Sequence, residues 1–226
     1  MIALIVENIE SIPFEARKDS ALIFNNLMRK NIANFAGYVS DNFDIVKRLI
    51  EGYEQPDAAL NCGSMIRECI RHSNLATSIL NSEYLWKFFD SYVHFPNFEV
   101  ASDAFNSLRD LLVTVKNKTI SSTFLETHFD EVFGHYEVLL KKGNYVTRRR
   151  ALKLLGELLL DRSNFNVMIR FIASRDHLKV MSCGLGCLYI ALFFNYCNCS
   201  PYTIYEHYLC ALTCRSYHGQ NLYPFI

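Results

Sequence analysis

The sequence predicts an all-α protein built from stacked helical repeats of the armadillo or HEAT kind. Three stretches carry apolar residues at spacings of three and four, the pattern of a helix with one buried face. They lie at 57–72, 98–115 and 145–160. Glu68, Asp110 and Glu157 occupy equivalent places in them, at steps of 42 and 47 residues, which is the length of such repeats. No alternating β-branched run competes with these helices.

The apolar stripes and the helix boundaries justify each of the three helices in turn. The first follows Pro56, whose missing N–H costs nothing at a helix start. The stripes are Cys62, Met65, Ile66, Cys69 and Ile70 in the first helix, Ala101, Ala104, Phe105, Leu108, Leu111 and Leu112 in the second, and Ala151, Leu154, Leu155, Leu158 and Leu159 in the third. We therefore expect these residues in the core.

A second amphipathic helix is predicted after each of the three, and a further helix before them. The second helices lie at 75–92, 124–140 and 166–181, and the earlier helix at 17–30. Breakers such as Pro96 and Gly143 separate them. Because a helix pair of this kind cannot bury its apolar face alone, the pairs should stack into a curved rod with a concave face.

The composition changes abruptly near Ser182. Beyond it only Glu206 and Arg215 are charged, although six of the eight cysteines lie there. We therefore predict a helical-repeat scaffold domain at 1–182 and a divergent, cysteine-rich apolar tail at 183–226 that is poorly ordered.

Three interpretations of the tail remain open. A membrane anchor needs about 20 apolar residues, whereas 184–194 supplies 11 before Asn195. A zinc site is the second, with candidate ligands Cys183, Cys187, Cys210, Cys214 and either His207 or His218. We favour the third, a segment translated past the boundary of the folded domain.

Most kinds of catalytic or cofactor site are not indicated. The sequence has no glycine-rich phosphate loop, no G-x-S-x-G and no H-E-x-x-H, so we predict neither an enzyme nor a cofactor. Cys69 and His72 lie one turn apart, but Cys69 belongs to an apolar stripe, which favours a buried structural thiol. The formal net charge is zero, so neither nucleic acid nor a membrane is an expected partner. The first residues do not form a signal peptide, so an intracellular protein is expected.

Basic and aromatic residues flank the third repeat helix. Successive residues of a helix point about 100° apart, so the triplet 148–150 is not one patch. Tyr145 and Arg149 share a face at i and i+4, and Arg162 and Phe165 follow the other end of the helix. From the residues alone, partner binding and helix capping with packing of arginine stems are equally good interpretations.

Four motifs resemble the calcium-binding protein 39 family of kinase scaffolds. They are ALNCGSMIRECIRH (59–72), FEVASDAFNSLRDLL (98–112), THFDEVFGHYEVLL (127–140) and NYVTRRRALKLLGELLLDRSNF (144–165). The resemblance extends from about Leu4 to Met181. It implies an armadillo-like, non-catalytic, cytoplasmic scaffold that holds kinases in an active conformation. The implied partners are a STRAD-type pseudokinase, the liver kinase B complex and germinal-centre kinases.

The resemblance also implies which residues touch these partners. Phe98, Arg162 and Phe165 fall on the family's concave contact face. Tyr145 and Arg149 fall on its pocket for a tryptophan–glutamate–phenylalanine peptide.

The sequence departs from the family pattern at both ends. It starts inside the pattern, so the first helices are expected to be absent, and Ser182 stands where the peptide pocket has a methionine. We therefore expect weak peptide capture. The alternative is a generic helical-repeat adaptor, or a nonfunctional fragment, that binds no kinase.

Overall fold

The computed structural model describes residues 2–113, 118–174 and 176–177 of the 226-residue chain. These residues form helices and turns without a strand, which confirms the all-α prediction. The α-helices are α1 (Ile2–Glu7), α2 (Phe14–Lys30), α3 (Phe35–Asp41), α4 (Asp44–Glu51), α5 (Ala59–Ile70), α6 (Ser73–Leu80), α7 (Tyr84–Asp90), α8 (Phe98–Val113), α9 (Lys118–Thr127), α10 (Phe129–Lys142), α11 (Tyr145–Leu160) and α12 (Phe165–Ala173). Short 3-10 turns lie at Ile32–Asn34, Gly52–Glu54, Tyr92–His94 and Arg162–Asn164.

The repeating unit is a group of three helices. The groups are α2–α3–α4, α5–α6–α7 and α8–α9–α10, and α11–α12 begins the next one. The first helices pack in series, α2 on α5, α5 on α8 and α8 on α11. The second helices α3, α6, α9 and α12 pack in the same order, and α7 packs on α10. This is the arrangement of a stack of armadillo-like repeats.

The prediction of one second helix per repeat was wrong, because each of the two that are fully described is divided. The predicted helix 75–92 is interrupted after Leu80, where the Ser82 hydroxyl donates to the Ile79 carbonyl at 2.7 Å. The predicted helix 124–140 is interrupted at His128. A side chain that bonds to the backbone competes with helix continuation, and apolar spacing does not reveal such a break. The predicted helix 166–181 is described only in part, as α12.

The predicted apolar stripes form one continuous core that runs from Val6 to Phe171. Every predicted stripe residue is buried except Ala101, which is half-buried. Cys62 and Cys69 are fully buried. Burial raises the pKa of the Cys62 thiol to about 12, and that of Cys69 also lies well above its ordinary value. Both cysteines therefore act as small apolar core residues.

Acidic residues at the repeat position recognised in the sequence face arginines of the preceding repeat. Arg29 in α2 donates to Glu68 in α5 at 2.8 Å, and Arg109 in α8 donates to Glu157 in α11 at 2.9 Å. Asp110 lies in the field of Arg67, Arg71 and Arg109, yet burial raises its pKa. A second contact at each junction has the same offset, Asn25 with Ser64 at 2.9 Å and Ser102 with Arg150 at 2.8 Å, so these first helices run parallel and in register.

Candidate partner-binding surface

The start of α11 is held by side chains on both sides of its first turn. Asn144 Oδ1 accepts the Thr147 N–H at 2.8 Å, which is an N-cap hydrogen bond. Arg148 donates to the Gly143 carbonyl at 3.1 Å. The helix therefore begins at Tyr145, as predicted, and this tyrosine is 66% exposed.

Arg150 sets the rotation of α11 against α8. Its guanidinium donates to Ser102 Oγ at 2.8 Å and to Asn106 Oδ1 at 2.6 Å. It also lies 4.4 Å from the centre of the Phe105 ring, a cation–π contact. Partial burial lowers the pKa of Arg150. This arginine is therefore used within the fold, as the capping and packing interpretation of the triplet expects.

Arg149 points away from these contacts, about 100° around the helix from Arg150. It is exposed and makes no ion pair or hydrogen bond with any residue that the structure describes. The same is true of Arg162. All other arginines in the described part of the chain bond to a carboxylate, a carbonyl or a side-chain oxygen. Within the triplet, Arg149 alone therefore has its donors free for a partner.

The turn that presents Arg162 is pinned by its neighbour Asp161. One carboxylate oxygen accepts the Ser163 N–H at 3.0 Å, and the other accepts from Lys118 of α9 at 2.5 Å. These hydrogen bonds, that from Lys118 first, lower the pKa of Asp161 to about 2. Ser122 of α9 donates to the Ser163 carbonyl at 2.6 Å. Arg162 is therefore held on a turn between α11 and α12 that hydrogen bonds from α9 of the preceding repeat fix in place.

Phe165 follows this turn as the first residue of α12 and is 59% exposed. The buried Asn164 amide donates to the Leu158 carbonyl at 2.9 Å, which ties the start of α12 to the end of α11. Ile169 is exposed one turn later on the same face of α12. Arg162 and Phe165 therefore form one surface region, with Ile169 at its edge.

Phe98 lies at the opposite end of the first-helix layer from that region. It begins α8, is 63% exposed, and lines a shallow groove together with Val146 and Arg150. A rise of about 1.5 Å per residue puts Arg149 roughly 20 Å from Arg162 along the axis of α11. The structure thus brings Phe98 close to the α11 end that starts with Tyr145, and leaves it far from Arg162 and Phe165.

The sequence did not predict the hydrogen bonds that hold these residues in place. Asp161 two residues before Ser163 is the pattern of an Asx turn, so that support had a local signal. The pairing of Lys118 with Asp161, and of Arg150 with Ser102, had none. Ser182, the proposed domain boundary and the tail cysteines lie outside the described residues.

The described part of the chain includes both Cys69 and His72, which lie one turn apart. His72 Nε2 lies 3.1 Å from the Met28 carbonyl oxygen, and the thiol of Cys69 is buried. No cluster of three metal-ligating side chains occurs among the residues described. Nor does any helix among them have the length and apolarity required to cross a membrane.

Comparisons with known proteins identify the family of the chain. The family model described as Mo25-like matches residues 1–186. The chain is 44% identical over 184 residues to Calcium-binding protein 39-like of Mus musculus, covering 80% of this chain and 54% of the relative. It is 42% identical over 174 residues to MO25-like protein 2 of Caenorhabditis elegans, covering 76% and 51%. The Mo25-like protein of Schizosaccharomyces pombe is 41% identical over 181 residues, with 79% and 54% covered. The chain spans about half the length of these curated relatives. With most of its length matched by the family model and by these relatives, the chain belongs to the Mo25-like family.

Proposed function

We propose that this protein is a non-catalytic cytoplasmic scaffold that binds a STRAD-type pseudokinase and related germinal-centre kinases and stabilises their active conformation. In this role it supports the liver kinase B complex. The binding surface consists of Phe98, Tyr145 and Arg149 at one end of α11, and of Arg162 and Phe165 at the other.

The observation that carries the proposal is the pairing of free arginines with exposed aromatics. Arg149 lies one turn from Tyr145, and Arg162 lies three residues before Phe165. Neither arginine has a partner among the described residues. Arginine, tyrosine and tryptophan dominate the energetic centres of protein interfaces, and aromatic residues in general are enriched there.

The separation of the two contact regions indicates the size of the partner. They lie roughly 20 Å apart along α11. The side chain of a single peptide residue cannot reach both regions. Both are held by hydrogen bonds between repeats, through Arg150 at one end and Asp161 at the other. A rigid surface with two separated contact regions fits a folded kinase domain, which contacts both at once.

The test is a titration of the purified protein with a purified STRAD-type pseudokinase, with binding followed by calorimetry. Arg149→Ala and the double substitution Arg162→Ala/Phe165→Ala should each weaken binding about thirtyfold or more, the effect of losing a hot spot. The controls are Lys30→Ala and Phe14→Ala, an exposed basic residue and an equally exposed phenylalanine at the two ends of α2. Neither control should change the affinity.

Two results would refute the kinase scaffold. One is no binding of the pseudokinase by the unsubstituted protein, which would leave a generic adaptor or a nonfunctional fragment. The other is equal affinity for the site variants and for the controls, which would place the contact elsewhere. Activation of the liver kinase B complex, measured with the same variants, should follow the order of the affinities.

A further inference from the structure

The groove between the starts of α8 and α11 contains an arginine whose charge has no counter-ion in the described part of the chain. Arg150 donates to Ser102 and Asn106, which are both neutral, and lies over the ring of Phe105. Its pKa is lowered by partial burial and by the nearby Arg109, and no described carboxylate contacts it. The fold therefore fixes the position of this charge without neutralising it.

The same place in the preceding repeat holds a charge that is neutralised. Asp103 precedes Asp110 by seven residues, just as Arg150 precedes Glu157, so the two positions are equivalent. Arg67 donates to the Asp103 carboxylate at 2.6 Å. A half-buried charge is stabilised by an opposite charge, because water can solvate it only in part. At the α8–α11 junction none of the described residues supplies that opposite charge.

The walls of this groove, which we call the Arg150 groove, are apolar. They are formed by Phe95, Pro96, Phe98, Phe105 and Val146. All of its lining residues belong to α8, to α11 or to the linkers before them, so the groove lies between two successive repeats and not at an end of the stack. It contains about 370 Å³ of space that is open to solvent, which is at the small end of ligand-binding clefts. It therefore admits one or two side chains.

The hydrogen bonds of Arg150 leave room for a ligand that accepts them. Its contacts with Ser102 Oγ and Asn106 Oδ1 are short, but those with the Ser102 carbonyl are long, at 3.3 and 3.4 Å. A carboxylate in the groove can accept from these N–H groups in a stronger, charge-assisted hydrogen bond. One guanidinium balances one negative charge, so a carboxylate suits the groove better than a phosphate group, whose charge is close to −2.

The groove adjoins the proposed kinase contacts. Phe98 belongs both to its wall and to the contact surface, and Tyr145 directly precedes Val146. A folded partner that rests on Phe98 and Tyr145 covers the mouth of the groove and removes water from Arg150. Removing water from a charge is unfavourable unless the partner supplies the opposite charge.

We propose that the Arg150 groove binds an aspartate or glutamate side chain of the pseudokinase, with an apolar neighbour of that residue packed against Phe98 and Val146. This inference rests on the proposed kinase scaffold and specifies what the partner presents at this end of α11. The ion pair with Arg150 completes at the α8–α11 junction the charge compensation that Arg67 and Asp103 achieve at α5–α8.

The first test removes the charge of Arg150 and keeps a donor. Arg150→Gln should weaken binding of the purified pseudokinase about tenfold or more in calorimetry, because a charge-assisted hydrogen bond is lost. The matched control is Arg148→Gln, which removes an equal charge from a neighbouring exposed arginine that bonds only to the Gly143 carbonyl. Its effect should stay below about threefold. Circular dichroism checks that both variants are folded.

A second pair of variants supplies the counter-ion from within the chain and does not alter Arg150. Val146 lies one turn before Arg150 and is 43% exposed, so a glutamate there can pair with the arginine at i and i+4. Val146→Glu should therefore bind the pseudokinase about tenfold more weakly than Val146→Gln, which has the same size without the charge.

The acidic partner residue is found by substituting surface aspartates and glutamates of the pseudokinase singly with asparagine and glutamine. One of these substitutions should weaken binding to the unsubstituted protein about tenfold and leave binding to Arg150→Gln unchanged. The proposal is overturned if Arg150→Gln binds as well as Arg148→Gln, if Val146→Glu binds as well as Val146→Gln, or if every pair of substitutions is additive. If Arg149→Ala still weakens binding in those cases, only the groove is refuted. If the unsubstituted protein binds no pseudokinase, the kinase scaffold is refuted as well.

Discussion

Two successive junctions of the first-helix layer, α5 on α8 and α8 on α11, are built from different interactions. At the α5–α8 junction the buried Tyr53 hydroxyl donates to Asp103 at 2.7 Å and lies 2.9 Å from Ser107. Arg67 donates to the other oxygen of Asp103 at 2.6 Å. A Cβ atom on Gly63 would collide with Tyr53 and Asp103, so glycine is required at this close approach.

The α8–α11 junction uses exposed and half-buried groups. Arg109 and Glu157, which form its ion pair, are 46% and 28% exposed in their side chains. Arg150 is half-buried against Phe105. Burial decides how much a polar contact stabilises, because water competes for exposed groups while a buried group that loses its partner finds none. Substitution of a polar residue is therefore expected to lower the free energy of unfolding more at the α5–α8 junction than at the α8–α11 junction.

Asp103→Ala should produce the largest effect on stability. It removes the acceptor of both Tyr53 and Arg67, so we expect a loss of about 2–4 kcal/mol in the free energy of unfolding, measured by urea denaturation. Arg109→Ala is the matched control at the exposed junction, with an expected loss below about 1 kcal/mol. Equal losses for the two variants would contradict the role of burial.

Arg150→Ala should have an intermediate effect and distinguishes the two neighbours in the arginine triplet. It removes the hydrogen bonds to Ser102 and Asn106 and the contact with Phe105, for an expected loss of about 1–2 kcal/mol in urea denaturation. Arg149→Ala should change stability by less than about 0.5 kcal/mol, since this side chain is exposed and without a partner among the described residues. A stability loss for Arg149→Ala as large as that for Arg150→Ala would contradict the division of roles.

The charge of the Asp161 carboxylate should make the smallest of these contributions to the free energy of unfolding. Its pKa in the folded protein, about 2, is below the ordinary 3.8, so the fold favours the charged form. The stabilisation is therefore present above about pH 4 and is lost as the pH falls from about 4 to about 2. Asp161→Asn should be less stable than the unsubstituted protein at neutral pH, and this difference should shrink over that window in urea titrations. If the difference in unfolding free energy between the two proteins did not depend on pH, the hydrogen-bonded Asp161 carboxylate would not be its cause.

The candidate contacts were predicted unevenly from the sequence. Tyr145 and Phe165 were singled out as aromatics near arginines, and Phe98 through the family resemblance alone. All three are among the most exposed aromatics of the described residues. Their grouping was not predictable, because it depends on α8 and α11 being parallel and in register. That register places Phe98 beside Val146.

By itself the sequence determined the helical class, the repeat length and the bounds of α11, because apolar spacing and N-cap residues are local signals. Tertiary structure alone decided that the unit has three helices and that Arg149 is free while Arg150 is bound. The partners of Arg150 lie 44 and 48 residues away. Which of two adjacent arginines meets them depends on how one helix is rotated against another, and local periodicity contains no information about that rotation.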